Sequence, residues 1–253
     1  MLKLTVDNLS AQYADRRILN RISATFHGGQ MTAVIGRNGV GKTTFIKAIA
    51  GQVKSGGTVR LADDEADTVY PPTDIAYLPQ IGSASTRLTV FEMVLLGLVK
   101  NLRWRVAEEQ IASVARVLEE LNLSELSRRP FNHLSGGQKQ LVSMAQSFVS
   151  RPRGLLLDEP TSALDLRHQL IVMDLAKEYT RKTGAITIFV VHDLMLASRY
   201  SDRMLLLDEA RVKAHDTPEN VLVPEVLQSV YNVKVSVEKT SLGYLNVVPV
   251  APL

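Results

Sequence analysis

Apolar residues recur along this chain with two different periods, and the switches between them mark out its organisation. Leu2, Leu4 and Val6 alternate with polar neighbours, which predicts a strand over 2–9. A second strand is predicted over 18–26, closed by the turn His27-Gly28-Gly29-Gln30. The apolar, β-branched run 31–35 predicts a short buried strand, and 45–50 a helix. Strands over 58–61 and 75–78 flank an acidic exposed loop at 63–67 and the break at Pro71-Pro72. From Leu88 the period becomes helical. Val90, Phe91, Val94, Leu95 and Leu98 make one stripe, Ile111, Val114, Leu118 and Leu121 a second, and Leu141, Met144, Ala145 and Phe148 a third. Strands then return at 155–157, 185–191 and 204–207, with a helix through Leu170, Leu175 and Tyr179 between the first two. Thr217-Pro218 and Pro224 start short helices, and from Val233 the chain alternates weakly as a strand pair. The expected layout is an α/β core over 1–84 and 151–220, an inserted helical subdomain over 85–150, and a tail over 221–253.

Chemistry enters between the 31–35 strand and the 45–50 helix. Gly36, Arg37, Asn38, Gly39, Val40, Gly41, Lys42, Thr43 and Thr44 fit the spacing GxxxxGK[ST] in its required strand–turn–helix context. Glycines let successive backbone N–H groups turn inward on phosphate oxygens, and the helix start adds unpaired donors and the positive end of its dipole. Lys42 supplies a point charge near the β- and γ-phosphates, and the Thr43 hydroxyl is a hard oxygen ligand for Mg²⁺.

Other candidates stand at strand ends and helix starts. The 155–157 strand ends in Asp158-Glu159, and carboxylates at the carboxyl edge of a parallel sheet are placed for chemistry. Asp158 can hold Mg²⁺, and Glu159 can accept a proton from an attacking water. The strand at 185–191 ends in His192, a residue type that is more often structural but here shares that edge. The 75–78 strand delivers Gln80. Ser135, Gly136, Gly137 and Gln138 open a helix, where a serine and free N–H groups serve either as a plain cap or as an anion site. Tyr13 precedes the phosphate loop by one hairpin and fits equally an adenine-stacking ring and an ordinary half-exposed tyrosine. Basic residues surround Trp104 in 100–105; a solvated linker is favoured there over a protein contact, with nucleic acid last.

Composition adds limits. The chain has 253 residues, 45% hydrophobic and 22% charged, without a run that approaches a bilayer span and without a basic-then-apolar leader pattern. The expectation is a cytoplasmic chain. There is no cysteine, so disulfides and thiolate metal sites are excluded. A net charge of +3 and a pI near 9.1 suit a surface facing nucleotide, anionic lipid or nucleic acid without choosing among them.

Taken in order, these motifs resemble the ATP-binding subunit of the ABC transporter family over nearly the whole chain. The segment Leu134-Ser-Gly-Gly-Gln138 is similar to the family signature. The resemblance implies an α/β fold: a P-loop NTPase (RecA-like) core with an antiparallel β subdomain and an inserted α-helical signature subdomain. It implies ATP and Mg²⁺ as cofactors. Tyr13 becomes the adenine-stacking aromatic, Lys42, Thr43 and Thr44 the phosphate and Mg²⁺ binders, and Gln80 the residue that senses Mg²⁺ and the lytic water. Asp158 becomes the metal-orienting acid, Glu159 the catalytic base, and His192 the γ-phosphate contact. Ser135, Gly136, Gly137 and Gln138 would complete the site from the opposite subunit, and Asp165 of the 162–165 loop would cross the dimer interface. Family members commonly carry arginines where Leu141 and Gln146 stand, which looks like helix-face variation.

The resemblance further implies a head-to-tail homodimer with ATP at its interface. Transmembrane permease subunits are the expected partners, with an extracytoplasmic substrate-binding protein acting indirectly and no nucleic acid. The chain would sit peripherally on the cytoplasmic face of the cell membrane. The signature run, the Leu164-Asp-Leu-Arg-His168 continuation and the 217–225 tail are similar to the subgroup that imports ferric siderophores, haem or cobalamin. Zinc/manganese importers are the near alternative, and a soluble ABC ATPase acting on ribosomes or DNA is the alternative of another class. The region 80–104 is expected to receive a permease helix, with Lys100, Arg103 or Trp104 near that face.

Overall fold

A computed structural model describes residues 1–14, 16–80, 86–101 and 106–253, with backbone alone at 99–101. The core is a six-stranded sheet in the order β10-β9-β3-β8-β7-β6. Its strands are β3 (Met31–Ile35), β6 (Ile75–Leu78), β7 (Gly154–Asp158), β8 (Ile186–Val190), β9 (Arg203–Asp208) and β10 (Arg211–Asp216). Five run parallel, and only β10, hairpinned to β9, is antiparallel. Every residue of β3, β7 and β8 is buried, as expected of strands covered on both faces. Alternate residues then feed two apolar clusters. Ala33, Ile35, Leu155, Leu157 and Phe189 face one, and Val34, Leu156, Ile188, Val190 and Leu205 the other.

The second cluster is closed by α1 (Lys42–Ile49) and by a four-stranded antiparallel sheet in the order β2-β1-β4-β5. Those strands are β1 (Leu2–Tyr13), β2 (Arg16–His27), β4 (Gly56–Asp63) and β5 (Thr68–Tyr70). The expected 2–9 strand is too short. β1 continues to Tyr13, and its buried set shifts from Leu4 and Val6 to Leu9 and Ala11. A bulge is the cause: Asn8 lies at φ 52° and the register slips between Val6 and Leu9, so the face turned inward changes parity. Tyr13 is therefore the last residue of a strand.

The first cluster is closed by helices. They are α2 (Val90–Leu95), α3 (Glu108–Glu120), α4 (Gly136–Phe148), α5 (Leu166–Thr183), α6 (Leu194–Tyr200), α7 (Pro218–Val221) and α8 (Pro224–Tyr231). The helical block thus shares one apolar cluster with a face of the main sheet and does not build its own. Val90, Val94, Val114 and Leu118 are buried as their spacing predicts, while Ile111, in the first turn of α3, is exposed. The tail ends in a hairpin of β11 (Val233–Lys239) and β12 (Leu245–Pro252), which rests on α8 and α6. Among the described residues no helix is long and apolar enough to cross a membrane.

Candidate functional site

The sheet brings the motifs to one edge. β3 runs into Gly36, β6 into Gln80, β7 ends on Asp158 and β8 runs toward His192, all at the carboxyl ends of parallel neighbours. Gly36 has to be glycine: it sits at φ 142°, and a Cβ there would collide with the Leu207 carbonyl of β9. Arg37, Asn38 and Gly39 are exposed and Val40 half-buried on the rim. At the other end of the loop Gly41 caps α1 with no side-chain hydrogen bond, and the first turn carries no acid. The N–H groups at that helix start therefore face no competing side-chain acceptor.

Lys42 is buried, and its Nζ donates to the carbonyls of Gly36 (2.7 Å) and Arg37 (3.0 Å). An ammonium has three protons, so these bonds hold the loop around it and leave one donor for an anion. Burial pushes its pKa down, against the opposing pull of Glu159 and Asp158. Thr43 donates to Asp158 Oδ1 at 2.9 Å, which joins the loop to β7 across the sheet. Thr44 follows in the same helical turn, half-buried.

Asp158 and Glu159 are adjacent but serve different surroundings. Asp158 is buried and receives a second bond, from the Tyr77 hydroxyl to Oδ2 at 2.9 Å. Burial, and then this bond, raise the Tyr77 pKa, so the phenol stays a neutral donor. Glu159 takes φ 49°, a left-handed conformation costly for a non-glycine residue, and its carboxylate meets partners different from those of Asp158. Gln80 Nε2 donates to Glu159 Oε2 at 2.9 Å, and His192 Nε2 lies 2.7 Å from Oε1. Both carboxylate oxygens are thereby fixed. Ser162 donates to the Glu159 carbonyl at 3.0 Å and accepts from Gln80 at 3.3 Å.

The remaining candidates lie apart from this group. Tyr13 is half-exposed at the end of β1, paired with Arg16. Arg16 and Arg17 border a cleft of about 350 Å³ together with Arg37, Asn38 and Gly39, so the hairpin tip and the phosphate loop share one surface. Ser135, Gly136, Gly137 and Gln138 form the start of α4, which closes on itself. Gln138 N–H donates to Ser135 Oγ, and Ser135 N–H to Gln138 Oε1. Asp165 caps α5 and meets His168 on both carboxylate oxygens. The structure gives neither the signature nor Asp165 a bond to Lys42, Thr43, Asp158 or Glu159 among the described residues.

Tyr77 is the residue that sequence reasoning missed. Its signal is the pairing of β6 beside β7, which brings an aromatic hydroxyl to Asp158 and cannot be seen from β6 alone. A concavity of about 870 Å³ lies away from the phosphate loop; Tyr77, Pro79, Gly97, Leu98, Gln146 and Arg151 line it, between β6 and the helical block. Arg103, Trp104 and the Lys100 side chain, expected near this face, lie outside the described residues.

Mg²⁺ fits these residues. The Thr43 hydroxyl and Asp158 carboxylate are paired hard oxygen donors, and no group of three His, Cys, Asp or Glu is gathered elsewhere among the described residues. Such a sparse donor set suits an ion that keeps waters and takes its other ligands from substrate phosphates.

A glycine-rich loop between strand and helix, a buried lysine and a carboxylate-bearing neighbouring strand define a nucleoside-triphosphate-binding α/β protein. A family model for ABC transporters matches residues 19–162. An uncharacterized ABC transporter ATP-binding protein of Methanocaldococcus jannaschii is 35% identical over 254 residues, covering 99% of each chain. The hemin import ATP-binding protein HmuV of Rhizobium meliloti is 36% identical over 246 residues, covering 92% of this chain and 93% of its own. A solved chain of an ABC transporter assigned to the metal-chelate type, in an inward-facing conformation, superposes with a TM-score of 0.86 at 27% identity, covering 99% and 98% of the two chains. The chain belongs to the ABC transporter family. It is an ATP-binding, ATP-hydrolysing subunit, and ATP and Mg²⁺ are its cofactors.

Proposed function

We propose that this chain drives a membrane importer for a metal chelate or a compound like it: a ferric siderophore, haem or cobalamin. The observation that carries the catalytic half is Glu159, fixed on one oxygen by Gln80 and on the other by His192. Such a carboxylate is positioned to take a proton from water. The water oxygen bonds to the γ-phosphorus, the bond from γ-phosphorus to the bridging oxygen breaks, the proton passes to Glu159, and ADP and phosphate leave. Lys42 and the α1 start hold the phosphates, and Thr43 and Asp158 would hold Mg²⁺, which offsets charge on the phosphate oxygens when bound. His192, half-exposed beside Glu159, would contact the γ-phosphate, and Gln80 would register the water and the metal. Tyr13 would stack on adenine from the hairpin tip.

Among the described residues the signature makes no bond to Lys42, Thr43, Asp158 or Glu159 of its own chain, which supports a head-to-tail homodimer. Ser135, Gly136, Gly137 and Gln138 of one copy would cap ATP on the other, with Asp165 at the seam, excluding water. The 870 Å³ groove would receive a permease helix, placing the chain peripherally on the cytoplasmic face of the membrane. A substrate-binding protein would act only through that permease. The cargo class rests on full-length likeness to proteins named for hemin and achromobactin transport.

Glu159→Gln tests the mechanism: turnover is expected to fall roughly 1,000-fold, the scale of a lost general base, while ATP holds a stable dimer in analytical ultracentrifugation. Turnover near the wild-type rate removes Glu159 as base. Purification from the native cell tests the setting, where a polytopic permease is expected; recovery with ribosomes or a DNA-repair complex overturns the transport proposal.

A further inference from the structure

Asp165 and Gly137 belong to different elements, a loop ahead of α5 and the first turn of α4, yet one side chain touches both. His168 N–H donates to Asp165 Oδ1 at 2.8 Å, and the ring Nδ1 lies 2.9 Å from each carboxylate oxygen. The ring also packs closely against Gly137. A Cβ at 137 would stand 2.6 Å from the ring's Cγ and 2.7 Å from Nε2, so only glycine admits the imidazole. Gly137 is buried and the His168 side chain is only a quarter exposed. The ring is therefore a wedge clamped between a carboxylate and a helix backbone.

The clamp continues to the backbone of Glu159. Glu159 accepts from Ser162 through its carbonyl, from both the hydroxyl and the backbone N–H. Leu164 accepts from Gln169 at 3.1 Å, which ties the loop to α5 just before Asp165. A continuous set of contacts thus runs from Glu159 through 162–165 and His168 to Gly137. A displacement of the loop at one end would press on the signature helix through the His168 ring or part the ring from it.

We propose that His168 is a positioning residue that couples the two ATP sites of the dimer. The inference rests on the head-to-tail arrangement proposed above. In that arrangement the 162–165 loop belongs to the site that uses this chain's Glu159, while the signature serves the partner's ATP. His168 is then the in-chain link by which the state of one site changes the closure of the other, a coupling between distinct sites.

The test uses the full chain carrying Glu159→Gln, in which ATP-dependent dimerisation is read by analytical ultracentrifugation. His168→Ala and His168→Asn are added separately. Asn keeps an N–H near the Nδ1 position for Asp165 and removes the ring from Gly137. Both are expected to raise the ATP concentration at half-dimerisation about tenfold, within the usual range of coupling between sites. Affinity of the dilute monomer for a fluorescent ATP analogue should stay within about twofold, which reports an intact fold and phosphate loop. With Glu159 restored, the Hill coefficient for ATP hydrolysis should fall toward one in both variants. An unchanged dimerisation midpoint and Hill coefficient in the Asn variant overturn the coupling role and leave His168 as α5 packing. If the Glu159→Gln chain itself stays monomeric with ATP, the head-to-tail proposal fails, and this inference falls with it.

Discussion

Two glycine-rich helix starts are assigned to nucleotide in the proposed function, and they are built in opposite ways. α1 begins at Gly41 in a left-handed conformation, with no side-chain cap, no acid in its first turn and a buried lysine as its first residue. α4 begins at Ser135 with a complete capping box, its serine and Gln138 bonded to each other's backbone. Every helix start leaves orphan N–H groups. At α1 nothing in the side chains satisfies them, so the start is an anion site on its own. At α4 the box takes the Gln138 N–H, which leaves the hydroxyl proton of Ser135 and the first N–H groups as donors. An end partly satisfied at home makes a weaker site, suited to closing over a phosphate already held elsewhere.

The largest effect that would break this contrast lies in separating binding from closure. Lys42→Ala removes a buried charge at α1 and should weaken ATP binding to the dilute monomer by about 100-fold, the scale of a charge-assisted hydrogen bond. Ser135→Ala should leave that monomer affinity within about twofold while costing roughly 1 kcal/mol of stability, as a lost cap does. Its loss should show in ATP-dependent dimerisation and turnover. Calorimetric titration of both variants checks the pair, and similar losses of monomer affinity would mean that the two starts do not differ in kind.

The two starts also differ in how far the sequence discloses them. Around α1 the strand, the loop spacing and the helix are contiguous, so 31–50 could be read in full before any folding. The parallel core was legible for a related reason: strands buried on both faces are apolar throughout, and β3, β7 and β8 say so in five residues each. What the sequence hides is pairing. The bulge at Asn8, which turns β1 over and carries it on to Tyr13, depends on strand register rather than composition. Tyr77 reaches Asp158 only because β6 lies beside β7, and His168 reaches Gly137 only because α5 packs on α4. Glu159 was visible as a carboxylate, but the Gln80 and His192 contacts that fix it join residues 33 or more positions apart at three strand ends.

Tyr77 gives the next largest effect and sharpens the α1 side. Asp158 receives the Thr43 hydroxyl on one oxygen and the Tyr77 hydroxyl on the other. Tyr77→Phe leaves a buried carboxylate oxygen without its donor and the carboxylate held by Thr43 alone. The Mg²⁺ concentration needed for half-maximal nucleotide binding should rise about tenfold, from the loss of a hydrogen bond to a charged group. Nucleotide affinity without Mg²⁺ should hold, since Lys42 and the loop are untouched. A Mg²⁺ titration of nucleotide fluorescence checks this, and an unmoved midpoint would reduce the phenol to packing between β6 and β7.

The smallest effect separates these two starts from two other capped helices, α2 and α5, by pH. At α2, Glu92 bonds back to Thr89, whose backbone N–H and hydroxyl hold its carboxyl below the ordinary 4.5. At α5, the His168 N–H and ring hold Asp165 below the ordinary 3.8. A carboxyl whose pKa is depressed in the folded chain binds fewer protons there than when unfolded. Its stabilisation is therefore present above the ordinary value and is lost as pH falls through the depressed one. The caps of α1 and α4, a glycine and a serine–glutamine pair, have nothing to titrate in that range. Melting temperature should thus fall as pH drops from about 5 to about 3, with the slope flattened by a few degrees at most in a Glu92→Gln chain, because surface charge contributions are small. Ser135→Ala should lower the whole curve without changing its slope. A slope that changed with Ser135 and not with Glu92 would place acid sensitivity at the signature helix, against the assignment of its cap as a neutral, self-contained bond.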